Sequence, residues 1–259
     1  MLLLAQFLYR LSFGMAAAMA ITPPKLVTSG YYRNNLYVLL GMNTLGALVA
    51  WGGFGDSAPN DWQRYPALAA AILSYLGAAV WLYEKPRVGI VLLGIIGLVT
   101  LAGAIAVTPV ADKPHTYVAL CYADTLASGL LLGTTMAAML LGHWYLNAPG
   151  MKITPLFRLT AVMGVALVLR VVVSAIGLSI AFSAASSLGG AFEAAQWFML
   201  ALRWIAGVFG TAGLIWMTWT TLRIPNTQAA TGMLYVAVIM TFLGELLGQL
   251  LSVGRLYPL

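Results

Sequence analysis

Four ionisable residues, Arg10, Arg170, Arg203 and Glu245, sit inside long apolar runs of this sequence. A charge at the centre of a bilayer costs roughly 2.5–3.5 kcal/mol on insertion scales, so such residues pair, face a protein interior or mark a functional pathway. A guanidinium presents a fixed fork of donors that suits carboxylates and carbonyls. A glutamate among arginines can take up a proton. Thr241, Glu245 and Gln249 recur at i, i+4 and i+8, which puts them on one helix face. Gln6 pairs with Arg10 and Arg170 with Ser174 at i, i+4, and Gln196 lies seven residues before Arg203. Four segments therefore each carry a polar stripe. The chemistry expected is a polar pocket in which Glu245 accepts protons and Arg10, Arg170, Arg203, Gln249 and Thr241 bind a ligand.

The elements that must position these residues are membrane helices. Of 259 residues, 61% are hydrophobic and only 8% charged, against about 25% charged in a soluble domain. Apolar runs of about 20 residues, enough to span a bilayer, recur along the whole chain. A β-barrel would need shorter stretches of alternating hydrophobicity, so the fold class expected is all-α, a polytopic membrane protein. The runs predict eight spans, at 3–22, 35–53, 66–83, 88–107, 124–146, 155–182, 197–221 and 232–253. Breakers separate them: Pro23-Pro24, Pro59, Pro86, Pro109 with Pro114, Pro149-Gly150, the stretch 186–190, and Pro225-Asn226. No linker is long enough for a soluble domain, so residues 1–259 read as one membrane domain. The N-terminal run lacks a basic start and is interrupted by Arg10, which favours a retained helix over a cleaved signal.

Basic residues orient the bundle. Lys25, Arg33, Lys85, Arg87, Lys152, Arg158 and Arg223 cluster at the odd-numbered connections, while Arg64, Lys113 and Arg255 fall on the other side with Asp56, Asp61, Asp112, Asp124 and Glu193. The odd connections are therefore expected in the cytoplasm and both termini outside, on the periplasmic face of a bacterial inner membrane. Counting about 1.5 Å per residue from the span ends puts Arg10, Arg203, Glu245 and Arg170 at about 10, 9, 12 and 17 Å below the outer surface. Helices one, six, seven and eight are expected to enclose one pocket near that surface. Three arginines against one glutamate would leave two cations for lipid headgroups, a partner's carboxylate or an anionic or carbonyl-bearing ligand to satisfy.

Other features carry less chemistry. The single cysteine, Cys121, excludes an internal disulfide and a cysteine-held metal cluster within the chain. The two histidines, His115 and His143, fall on opposite sides, which argues against bis-histidine haem and leaves no metal site expected. His143, followed by Trp144 and Tyr145, reads as an interfacial anchor or as a proton relay. Asp112, Lys113, His115, Cys121 and Asp124 read as a solvated outer loop. Asn43, Thr134 and Thr135 read as hydrogen-bonding residues between helices. Phe13-Gly14, Leu132-Gly133 and Phe209-Gly210 are each followed 23 to 25 residues later by an aromatic (Tyr37, Phe157, Tyr235), which is either a repeat of three hairpins or the abundance of both residue types. The formal charge of +6 is spread singly between apolar runs, so no nucleic-acid surface is expected.

The run Gly244-Glu245-Leu246-Leu247-Gly248, within Gly232 to Leu251, resembles the final helix of the membrane anchor subunits of dimethyl sulfoxide reductase-type respiratory enzymes. That resemblance implies eight helices with both termini outward, no haem, and exchange of electrons with quinols on behalf of iron–sulfur and molybdenum subunits. The expectation is then a non-haem membrane subunit of a respiratory or electron-transfer complex. It binds no cofactor alone, takes a quinone in its outer-half pocket, and has the bilayer and other redox subunits as partners. A secondary transporter of an anionic or lipidic solute, or a structural or assembly subunit, would use the same residues.

Overall fold

A computed structural model of the chain describes residues 1–53, 61–110, 113–148, 150–188, 193–224 and 226–259. Among them the chain forms eight helices long and apolar enough to cross a membrane. These are α1 (Leu2–Ile21), α2 (Ser29–Gly53), α3 (Tyr65–Leu82), α4 (Pro86–Ala106), α5 (His115–Asn147), α6 (Thr154–Leu188), α7 (Ala194–Arg223) and α8 (Thr227–Leu251). Local chemistry sets several ends. Pro86 occupies the first position of α4, where a missing N–H costs nothing. The Asn226 side chain accepts from the N–H of Ala229 at 3.0 Å and so caps α8. Asp56, Pro59, Asp112, Pro149 and Pro225, with 189–190 of the stretch 186–190, lie outside the described residues.

Two expected boundaries are corrected. Helix α5 starts at His115 rather than at Asp124, so Asp124 belongs to a membrane helix and not to a solvated loop. Pro114 precedes its first turn, and the residues that follow include no breaker until Gly129. Helix α6 runs to Leu188, past the break read at Ser186. Helix α7 has an interior peculiarity. It is α-helical over Ala194–Leu202, π-helical over Arg203–Gly210 and α-helical again over Thr211–Arg223. Wide turns of this kind recur at functional sites.

The helices pack as two groups of four. Helix α1 touches α2 and α4, α3 bridges α2 and α4, and the second group repeats the ring with α5, α6, α7 and α8. The joint is α1 against α5. Their apolar windows are 72% and 78% buried, against 50% or less in the others, so these two form the central pair. Glycine makes the joint possible. A Cβ at Gly14 would stand 1.8 Å from the Gly129 carbonyl oxygen, and one at Gly133 would stand 1.9 Å from the Gly14 carbonyl carbon. The two backbones touch, as small residues allow when lipid offers no hydrophobic drive between helices. A second such contact joins α7 to α8, where Gly207 and Gly244 face each other and a Cβ on either would come within 2.5 Å of the other's Cα.

The two ends of the bundle differ. At one, Trp144 Nε1 donates to Thr28 Oγ1 at 2.8 Å and Ser29 Oγ to Glu84 Oε1 at 3.4 Å, which gathers the odd-numbered connections. At the other, Gln63 Nε2 donates to the Ala106 carbonyl at 2.9 Å. The C-terminal tail folds back there, with the Leu259 N–H on Ser252 Oγ at 2.9 Å and Pro258 against Gly177. Both chain termini lie at this second end.

Gly133→Ala is expected to destabilise the protein by at least the roughly 1–3 kcal/mol of an overpacked core, because its methyl would collide with backbone. Gly94→Ala, which has no atom within 4 Å, should be neutral or slightly stabilising. Thermal unfolding of both variants in detergent makes the comparison, and equal midpoints would show that the α1–α5 contact is not tight.

Candidate functional site

Asp124 carries the site. It lies three turns into α5 and is buried. Its Oδ2 accepts from Arg10 Nη1 of α1 at 2.9 Å, and its Oδ1 accepts from Arg170 Nη1 of α6. The fork of Arg170 continues to α8, where Nε donates to Glu245 Oε1 at 2.7 Å. Arg10 is fixed by a further bond from Nη2 to Thr125 Oγ1 at 3.1 Å. Arg203 of α7 donates from Nη2 to Ser174 Oγ at 2.7 Å. One network thus ties α1, α5, α6 and α8, and Arg203 stands beside it, bonded to Ser174 one turn from Arg170 on α6.

This geometry brings together Arg10, Arg170, Arg203 and Glu245, which the sequence had set at a common depth. It also corrects that reading. Five helices contribute rather than four, because Asp124 enters from α5. Three arginines face two carboxylates, so the cluster carries one excess positive charge and not two. Burying so many charges is costly unless each is paired and hydrogen-bonded, and Asp124 has both oxygens occupied. Asp124 had a legible signal in hindsight: Cys121, Asp124 with Thr125, and Ser128 fall at helical spacing.

The glycines of α8 have a physical role in this arrangement. Gly244 contacts the backbone of α7 at Gly207. A Cβ at Gly248 would come within 2.9 Å of Arg203 Nε and 3.2 Å of Arg170 Nη2. Residue 248 must therefore be small for both guanidiniums to pass it.

Above the network, toward the termini, lies a cavity of about 340 Å³. Arg10, Lys113, Cys121, Asp124 and Gln249 supply its polar wall, and Leu2, Leu3, Val253 and Pro258 much of the apolar one. Exposed Met1 and Val253 stand at its rim. Gln249 is buried there, and neither its Nε2 nor its Oε1 has a hydrogen-bond partner. Arg10 Nε is also buried without one. Lys113 Nζ lies 3.4 Å from Cys121 Sγ on the same wall.

The other site residues fall elsewhere. Glu245, Arg170 and Arg203 line a small void beneath the cavity rather than the cavity itself. Thr241 sits one turn deeper than Glu245 and bonds with Thr211 of α7 at 3.3 Å. Gln196 leaves the expected stripe with Arg203: its Oε1 takes a bond from Arg255 of the tail at 3.0 Å and faces the N–H of Glu193 at 3.4 Å. Gln6 donates to the Val107 carbonyl at 2.8 Å, tying α1 to the end of α4. His143 is exposed, with Nδ1 3.0 Å from Tyr235 Oη. It stands 19 residues beyond Asp124 on α5, about 28 Å away along the axis, so the cavity and His143 belong to opposite ends. Asn43 meets Ser74 at 3.5 Å, while Thr134 and Thr135 bond back to their own helix. Among the described residues, no three His, Cys, Asp or Glu side chains gather as metal ligands would.

Asp124→Leu is expected to cost about 3–5 kcal/mol, since it strands two guanidiniums in the interior. Adding Arg10→Met should recover part of that loss, because one stranded charge disappears with it. A double-mutant cycle on unfolding in detergent reads the coupling. A loss under about 1 kcal/mol for Asp124→Leu alone would mean that the fork is not what holds α1, α5 and α6 in register.

No family model, curated protein or solved structure shows a significant match to this chain.

Proposed function

We propose that this chain is a non-haem integral membrane subunit of a bacterial respiratory or electron-transfer complex, and that its cavity takes a quinone head group. The observation that carries the reading is Gln249. A buried amide with both ends unpartnered is costly, and this one lines a cavity of about 340 Å³. That volume is in the range of small-molecule sites, which combine apolar walls with a few placed polar groups. A quinone or quinol has the matching character, a flat apolar ring with oxygens at its edge.

In this reading the inner membrane holds the bundle with both termini and the cavity on the outer side, as the distribution of Lys and Arg favours. Arg10 Nε and Gln249 Nε2 donate to a quinone carbonyl oxygen, and Gln249 Oε1 accepts from a quinol hydroxyl. Of the two protons a quinol releases, one leaves through the cavity mouth and the other is relayed by water to Glu245, one turn below Gln249, whose Oε2 is free. Arg170 positions Glu245 by bonding its Oε1, and Arg203 lines the same void. The electrons pass to partner subunits that carry redox centres. A second reading, a carrier of an anionic solute, draws on the excess positive charge of the cluster and on Lys113 at the cavity wall.

Binding to the purified protein separates the two. A quinol analogue titrated against tryptophan fluorescence should saturate, and Gln249→Leu should weaken it about tenfold, equivalent to about 1.4 kcal/mol. Absence of saturable binding, or equal affinity in Gln249→Leu, removes the quinone reading. Uptake of an organic anion into liposomes by the chain alone would establish the carrier instead.

A further inference from the structure

Beneath the ligand cavity is a separate void of about 10 Å³, bounded by Leu131, Arg170, Arg203, Gly207, Gly244 and Glu245. We propose that this void is the site of one ordered water molecule bridging Arg203 and Glu245.

Three observations meet there. The first is size: about 10–15 Å³ is the least that admits a single water. Glycines at the α7–α8 contact bring backbone to the wall, so little can move in to fill the space. The second is the unpaired oxygen. Glu245 is buried, Arg170 holds its Oε1 at 2.7 Å, and Oε2 has no partner. The third is Arg203, buried on the same wall and bonded to Ser174 through Nη2 alone. It forms no direct ion pair with Glu245, whose salt bridge runs to Arg170.

The chemistry selects water over an ion. An arginine offers donors only and an ionised carboxylate acceptors only. A water accepts from the first and donates to the second, so it satisfies both at once. An anion would be repelled by Glu245 and a cation by Arg170 and Arg203. The wide π-helical turns begin at Arg203 itself, which lines the void.

This water makes the network continuous, from Asp124 through Arg170, Glu245 and the water to Arg203. Arg203 is then a positioning residue that acts on Glu245 through the water. It also gives the free carboxylate oxygen a neighbour able to carry a proton, on the side away from Arg170. The site is independent of what the larger cavity binds, and a failed quinone titration would not affect it.

An experimental map of the purified protein, at a resolution where other interior waters are visible, is the test. The expected result is a density peak within hydrogen-bond reach of both Glu245 Oε2 and an Arg203 nitrogen. A dry void, or Arg203 turned to bond Glu245 directly, overturns the proposal. Arg203→Met should lose the peak while the Asp124–Arg170–Glu245 bonds stay in place. A peak retained in that variant overturns the bridge to Arg203. Should Arg203→Met fail to fold, the map of the unaltered protein decides alone.

Discussion

The fork at Asp124 sets the terms for the whole bundle. A carboxylate buried among membrane helices is costly without donors, and both oxygens of Asp124 have one from the protein. One donor comes from α1 and the other from α6, which belong to different halves of the molecule. That single side chain therefore fixes α1, α5 and α6 at one level. The glycines serve this geometry. Gly14 lies one turn below Arg10, and Gly129 and Gly133 lie one to three turns below Asp124. By letting the α1 and α5 backbones touch, they bring the arginine to the aspartate directly. A wider α1–α5 spacing would leave Arg10 short of Asp124 and strand a charge.

The last helix is built to the same demand from the other side. Gly244, Glu245 and Gly248 occupy about one turn and do three jobs: contact α7, pair with Arg170, and clear a path for two guanidiniums. Packing and electrostatics explain this run on their own terms. The run would be needed in any bundle that placed two arginines against one face of a helix, whatever ligand lay above.

Much of this was legible from residue types. Eight apolar runs, and the level shared by Arg10, Arg170, Arg203 and Glu245, follow from composition and a rise per residue, because membrane thickness constrains both. Asp124 reads as a loop residue in the sequence, although Cys121, Thr125 and Ser128 fall around it at helical spacing. It closes a stretch that includes Asp112, Lys113 and His115, and a lone acid beside loop charges looks solvated until its partners are known. Those partners lie 114 and 46 residues away, beyond any local pattern. Gln196 failed for a related reason, since its partner Arg255 sits on a tail whose fold-back is a tertiary event. The span of α7 was legible, but its π-helical turns at Arg203–Gly210 were not.

The cluster divides into a finished part and an unfinished one. Asp124, Arg170 and Oε1 of Glu245 satisfy each other, and that part accounts for packing. Within the cluster, the buried atoms left over are Gln249 Nε2 and Oε1, Arg10 Nε and Glu245 Oε2. Gln249 and Arg10 face the cavity at the terminal end, and Glu245 faces the void one turn beneath it. Beside four charged side chains that pair internally, a glutamine with no partner adds no bond to the packing. Its free amide faces the wall of the cluster that opens onto a cavity of about 340 Å³. Ion pairing and the unpartnered amide of the cavity wall thus occupy adjacent turns of α8.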